Sequence, residues 1–146
     1  MLSDAEKKRY SRQILLFSED GQERLKKTRV FIAGAGGLGS VISLYMAAAG
    51  FGRIRIADCD SVDMSNLNRQ ILHKSGDLGR SKAESALEAL SAINPEVEIE
   101  ALEETISMES IEDLLQGCDM IMDAMDNFPV RYLLNRAALA RNIPLF

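Results

Sequence analysis

The chain is expected to fold as an α/β, Rossmann-like domain: a doubly wound, mostly parallel sheet with helices on both faces. Three observations point there. Residues 30–60, VFIAGAGGLGSVISLYMAAAGFGRIRIADCD, read as strand, glycine turn, helix, strand, acidic residue. Apolar strand runs then alternate with helical periods along the remaining chain, the pattern of a parallel sheet. Finally, the polar clusters fall just after strands, where ligands of such sheets bind.

Each element has its own reason. Ser3 can cap a first helix, with Glu6 three residues on completing a capping box. That helix should end near Arg9 or Tyr10. The segment RYSRQILLFSEDG reads as a connector, and 22–27 as a short polar helix; together, residues 1–27 form an N-terminal helical arm ahead of a nucleotide-binding domain at 28–146. Residues 30–33 are a short apolar run suited to a buried strand. An apolar helix follows at 38–49, and a second strand at 53–57. Residues 61–80 form a long connection with one helical turn from Ser65. In 81–93, Ala83, Ala86, Leu87, Leu90 and Ile93 recur at helical spacing, and Asn94-Pro95 ends the helix. Residues 97–102 alternate apolar and acidic, a strand. A short helix at 107–115 stops at Gly117. A buried strand at 119–125 and a helix at 129–141 complete the pattern, and an apolar segment opens at Pro144.

Length and composition narrow the function classes. The 146 residues suit one domain, with 47% hydrophobic and 27% charged residues, ordinary for a globular protein. A net charge of −5 argues against a nucleic-acid binder, which would show a basic face. Cys59 and Cys118 are too few and too scattered for a disulfide framework or a zinc site. No apolar run approaches membrane-spanning length, and the N-terminus lacks a signal-peptide core. A cytoplasmic protein with reduced thiols is expected, with no membrane or nucleic-acid partner.

The glycines Gly34, Gly36, Gly37 and Gly39 allow a tight turn, close approach of backbone N–H groups to a phosphate, and packing of helix on strand. The helix start adds unpaired N–H groups and a positive dipole end. Asp58 lies 24 residues after Gly34, about where such units place a ribose-binding carboxylate; Asp60 shares that strand end. A solvated strand end is the bland alternative. Asn66, Arg69 and Gln70 sit in SNLNRQ, and an arginine fork there suits phosphate oxygens or simple solvation. Lys82 lies in the first turn of a helix, where a cation opposes the dipole unless an anion sits nearby. Asp126 follows a strand in DAMDN and suits a magnesium ligand, while Asn127 suits a helix N-cap. Arg12 lies outside the sheet and could reach only a neighbouring site, on a second subunit. The sole histidine, His73, shows no sequence partner and is read as structural or surface. Met120, Met122 and Met125 read as core packing.

RYSRQILL, GAGGLGS, DCD, SNLNRQ, GRSKA and MDN occur here in the order and spacing of the ThiF/MoeB/HesA family, relatives of the ubiquitin-activating enzymes, and the chain resembles that family from about Arg9 to Phe146. The resemblance implies binding of ATP and magnesium. It implies adenylation of the C-terminal carboxylate of a small ubiquitin-like sulfur-carrier protein ending in Gly-Gly, with release of pyrophosphate, in thiamine or molybdopterin biosynthesis. It places Gly34, Gly36, Gly37 and Gly39 around the nucleotide and Asp58 on the ribose. Asn66, Arg69 and Lys82 would face the triphosphate, Asp126 the magnesium, and Arg12 the ATP of the partner in a homodimer. Family members continue past this chain's last residue, into zinc-binding CxxC motifs in many members, so the chain is expected to be short of the family's C-terminal half. A sheet cut there should cover its apolar surface by dimerisation or aggregation. Two other classes remain open on sequence: a nicotinamide-dependent oxidoreductase, which shares the βαβ fingerprint, and a nucleotide-holding module without turnover.

Overall fold

The computed structural model describes residues 1–146. Its elements in chain order are α1 (Asp4–Arg9), α2 (Ser11–Lys27), β1 (Arg29–Ala33), α3 (Gly37–Ala49), β2 (Arg53–Ala57), α4 (Lys82–Ile93), β3 (Glu98–Leu102), α5 (Ile111–Leu114), β4 (Met120–Asp123) and α6 (Phe128–Arg141). Two short 3-10 turns, Met64–Asn66 and Ser75–Asp77, punctuate the link from β2 to α4. The strands form one parallel sheet in the order β3-β2-β1-β4. Leu145 bridges Ile121 in parallel, so the last residues lie along the outer edge of β4.

Residue alternation in the central strand explains the layering. Val30 and Ile32 point to one face and pack with Ile54, Ile56, Ala47 of α3 and Ala86 and Leu90 of α4. Phe31 and Ala33 point to the other and pack with Ile121, Leu114 of α5 and Leu134 and Ala137 of α6. β1 is therefore buried on both faces and reads as a continuous apolar run. Met120 and Met122 pack on the first cluster and Met125 on the second, as core side chains.

The N-terminal arm departs from the sequence reading. Residues expected as a connector are helical within α2, which is two helices joined at Phe17 and Ser18, where the backbone leaves helical geometry and Ser18 takes φ 66°; the second of them contains the short helix expected at 22–27. The reason is what this helix buries: Gly21 and the polar Gln22, while Leu15 and Leu16 face solvent. Its apolar residues Leu15 and Leu16 face solvent rather than the core, so apolar spacing gives no core-facing helix here. The expected helix at 107–115 is likewise shorter, because a turn built on the Ser107 and Ser110 hydroxyls occupies its start.

β1 connects to β2 through α3 on one face, while the chain from β3 crosses to β4 through α5 on the other. The carboxyl ends of β1 and β4 therefore flank the point where the winding reverses, the usual ligand crevice of such sheets.

Candidate functional site

The crevice is a cleft of about 600 Å³. Gly34, Gly36 and Gly37 form one wall; Asp58 and Asp60 come from the end of β2, Arg69 and Gln70 from the SNLNRQ turn, Lys82 from the start of α4, and Asp126 and Asn127 from the end of β4. These residues, far apart in sequence, are thus brought onto one lining. Three candidates are not on the lining. Gly39 is buried in α3, where an added Cβ would lie 1.9 Å from the Gly34 carbonyl oxygen, so it serves close packing. Asn66 is tied into the 3-10 turn, its Oδ1 accepting from the Asp63 N–H at 3.3 Å. Arg12 sits exposed at the start of α2.

The glycine turn is shaped for an anion. Gly34 has φ +97°, a conformation side chains resist. At Gly36 and Gly37 an added Cβ would meet nothing closer than 3.6 Å, so the turn leaves open room beside its backbone. α3 begins at Gly37 with Gly36 as N-cap and has no side-chain cap, so its first-turn N–H groups face the cleft without a protein acceptor. Asp58 holds this turn in place: its Oδ2 accepts the Ala35 N–H at 2.8 Å and its Oδ1 the Asp60 N–H at 2.9 Å.

The charged groups answer the dipole question raised by Lys82. Its ammonium is buried and lies 2.9 Å from Asp60 Oδ2, so Asp60 is the anion that settles a cation in the first turn of α4. Arg69 is exposed and donates to the Ser65 carbonyl and to Asn68 Oδ1, leaving it without an acidic partner. Gln70 is buried and its Oε1 finds no hydrogen-bond partner. Asn127 caps α6, accepting the Val130 N–H at 3.1 Å. That leaves Asp126 exposed on the wall, and no group of three or more His, Cys, Asp or Glu side chains converges to hold a metal by itself. One free carboxylate would suit magnesium if a phosphate ligand lay beside it, since the ion binds through one or two carboxylates plus phosphate oxygens and water. The lining balance agrees with this chemistry. Four carboxylates (Asp58, Asp60, Glu104, Asp126) face two cations (Arg69, Lys82), so an anionic ligand needs added positive charge.

His73, read as structural or surface, is buried, and sequence inspection missed its partners. Nε2 meets the Ala35 carbonyl at 2.9 Å and Nδ1 meets Ser85 Oγ at 2.8 Å. Ser85 Oγ in turn donates to Asp77 Oδ2 at 2.9 Å. These are the residue types of a hydrolytic triad in the wrong order. The buried serine sits between imidazole and carboxylate, and its hydroxyl has no open face toward a substrate. A second cleft, of about 450 Å³ below α5, contains Arg55, but Glu100 and the Asp113, Leu114 and Gln116 carbonyls occupy that guanidinium. It is a structural ion pair.

The ThiF family model matches residues 10–146. Molybdopterin-synthase adenylyltransferase of Escherichia coli (strain K12) is 44% identical over 146 residues, covering 99% of this chain and 59% of that protein. Sulfur carrier protein ThiS adenylyltransferase of the same organism is 40% identical, covering 99% of this chain and 58% of that protein. Among solved structures, E. coli tRNA N6-threonylcarbamoyladenosine dehydratase in complex with ATP superposes with a TM-score of 0.93 at 27% identity, over 99% of this chain and 60% of that one. The chain spans less than two thirds of the length of these relatives.

Proposed function

This chain belongs to the ThiF family, and from that premise we propose that it carries the nucleotide half of an ATP-dependent adenylyltransferase acting on the C-terminal carboxylate of a small ubiquitin-like sulfur-carrier protein. The single observation that carries the reading is the cleft itself: a bare helix start, Arg69, Lys82 and Asp126 gathered from four segments around one open glycine turn. A nicotinamide-dependent oxidoreductase would leave those three charged side chains without a joint purpose.

The chemistry follows from charge. The carrier's carboxylate is ionised near neutral pH, so its attack on the α-phosphorus needs no general base. A bond forms from carboxylate oxygen to phosphorus as the bond to the departing pyrophosphate breaks. Negative charge builds on the α-phosphate and the leaving group. Arg69 and Lys82 stabilise it together with the glycine-turn N–H groups. Lys82 gives its charge to phosphate at the expense of Asp60, which is two-thirds exposed and can turn to water. Asp58 is suited to ribose hydroxyls through its remaining lone pairs, and Gln70 Oε1 is a waiting acceptor. Magnesium held by Asp126 would supply the remaining positive charge between the phosphates.

Arg12 must act on another copy. Gln13, its neighbour, reaches the Ala49 carbonyl at the far end of α3, and the cleft lies at the near end. Thirteen helical residues separate those ends by about 20 Å. We place a second copy against the exposed apolar side chains of α2 and α3, Leu15, Leu16, Leu38, Val41 and Tyr45. Two free thiols fit a cytoplasmic setting.

Pyrophosphate exchange with a carrier protein ending in Gly-Gly tests the proposal. Exchange supports it. ATP binding without exchange would reduce the chain to a nucleotide-holding module. Binding of NADH but not ATP would remove it.

A further inference from the structure

Ala35 is the one residue of the glycine turn whose peptide groups are gripped from both sides. Its N–H donates to Asp58 Oδ2, and its carbonyl meets His73 Nε2 at 2.9 Å and, more weakly, the Ser40 hydroxyl at 3.5 Å. A carbonyl only accepts, so Nε2 carries a proton. The Ala35–Gly36 peptide is planar and trans, so its N–H points opposite to its C=O. With the Ala35 oxygen drawn inward to His73, the Gly36 N–H is turned outward, on the residue that lines the cleft. Resting on the nucleotide reading above, we propose that His73 is a positioning residue that aims the Gly36 N–H at the bound phosphate and strengthens this hold when its ring takes a second proton.

The proton count carries the second half. With a neutral ring, Nδ1 has only a lone pair. The single Ser85 hydroxyl hydrogen then serves either Nδ1 at 2.8 Å or Asp77 Oδ2 at 2.9 Å, and the other contact sets two acceptors face to face. A proton on Nδ1 completes the row: Nδ1–H donates to Ser85, Ser85 donates to Asp77, and Nε2–H donates to Ala35. Asp77 is itself held by the Lys74 N–H and by Arg80, which also pairs with Glu84 and Glu88. The charges facing the ring from its surroundings are Asp58 and Asp77, which favour the imidazolium, and Lys82, which opposes it. Burial holds the ring below its ordinary pKa in the free chain. An anion arriving on the Gly36 side shifts it the other way, and linkage then makes phosphate binding tighten as pH falls.

The test measures affinity for ATP and for adenosine, which lacks phosphate, on the wild-type chain and on His73→Phe and His73→Gln. Glutamine can both donate to Ala35 and accept from Ser85, whereas phenylalanine can do neither. His73→Phe should weaken ATP about tenfold or more, the loss of one aimed hydrogen bond to a charged group, and leave adenosine within about threefold. His73→Gln should recover most of the ATP affinity but lose the pH dependence. Because the chain has a single histidine, its ring proton resonances report the group directly even where His73→Phe fails to fold. Saturating ATP should raise the ring's pKa and adenosine should not. A wild-type chain that binds no ATP overturns both this inference and the function above. Normal ATP binding with a ring pKa unmoved by ATP, or with equal losses for ATP and adenosine in the variants, overturns this inference alone.

Discussion

The two ends of α3 are finished in opposite ways. At its C-terminus the Ala49 carbonyl accepts from both Gln13 and Gln22, and the Ala47 carbonyl accepts from Asn94, which also donates to the Tyr10 hydroxyl. Gly50 closes the helix at φ +83°, and its missing Cβ leaves space for the Tyr10 ring, 2.4 Å from where that atom would stand. At its N-terminus no side chain caps the helix at all. One end pairs the Met46, Ala47 and Ala49 carbonyls, and the other withholds acceptors from its donors. The lesson is a division of labour: the arm spends polar side chains on stability at the amino end of the sheet, and the carboxyl end keeps its polar groups free for a ligand.

The sharpest way to break this comparison is at the free end. Arg69→Ala removes an exposed side chain that holds only the Ser65 carbonyl and Asn68. Pyrophosphate exchange should fall about 10²–10³-fold, as when one preorganised charge-stabilising donor is lost. The thermal midpoint should stay within about 2 °C, since surface changes of this kind cost little. Lys82→Ala should abolish exchange as well, with a larger stability loss because its ammonium is buried against Asp60. Retained exchange in both variants removes the division between the ends.

The capped end gives the next effect. Asn94 is fully buried, and Asn94→Ala removes the donor to the Tyr10 hydroxyl and one of two donors to the Ala47 carbonyl, which keeps the Gly50 N–H. Unfolding free energy should drop about 1–3 kcal/mol, from one buried hydroxyl left unpaired and one carbonyl left with a single donor. ATP affinity, read by calorimetry at a temperature where the variant is folded, should stay within about threefold of wild type. A larger affinity loss would mean that the two ends are coupled through the helix.

How much of this was legible in the sequence differs between the ends for a physical reason. Gly34, Gly36, Gly37 and Asp58 are local signals, set by a turn and by a strand length, and they lie on one lining, whereas Gly39 packs α3 against the turn. The Lys82–Asp60 pair joins residues 22 apart, and the His73–Ala35 contact residues 38 apart, so both depend on how the long link from β2 folds back. The charge conflict at Lys82 was a usable hint that an anion stood nearby; the sequence reading supplied a phosphate, and the fold supplies Asp60. The arm was misread for a different reason. Gln13, Gln22 and Tyr10 hold it against the end of α3 through polar contacts, which buried apolar spacing does not register.

Acid gives a smaller effect that touches both ends. Burial opposes ionisation of Glu6, but hydrogen bonds from Lys26 and Ser3 outweigh it and hold its pKa below the ordinary value. Burial is outweighed in the same way at Asp77, by the Lys74 N–H, Ser85 and Arg80. Carboxyls depressed in the folded chain contribute stability that is complete above the ordinary carboxyl range, about pH 4 to 4.5, and is lost as pH falls through their folded values. The urea midpoint should therefore decline below about pH 4.5. Glu6→Gln should flatten part of that decline, cost about 1–2 kcal/mol at neutral pH and leave ATP affinity unchanged. An unaltered acid slope in this variant would shift the effect to Asp77 and the glycine-turn end.

The smallest expected effect probes how the capped end shares its work. Gln13 Nε2 lies 2.6 Å from Gln22 Oε1 and 2.9 Å from the Ala49 carbonyl, which Gln22 Nε2 also reaches at 2.8 Å. Gln13 is half-buried and Gln22 fully buried. Gln13→Ala admits water while Ala49 keeps one donor, so it should cost about 0.5–1 kcal/mol, near the net worth of one hydrogen bond. Gln22→Ala leaves a buried acceptor less well served and should cost about 1–3 kcal/mol. In the double variant the two losses should sum to something other than their separate values, since each amide orients the other. Urea unfolding of the two single variants and the double variant measures that coupling. Strict additivity would show two independent caps on one carbonyl, and the cluster would then be redundancy rather than a joint lock on the end of α3.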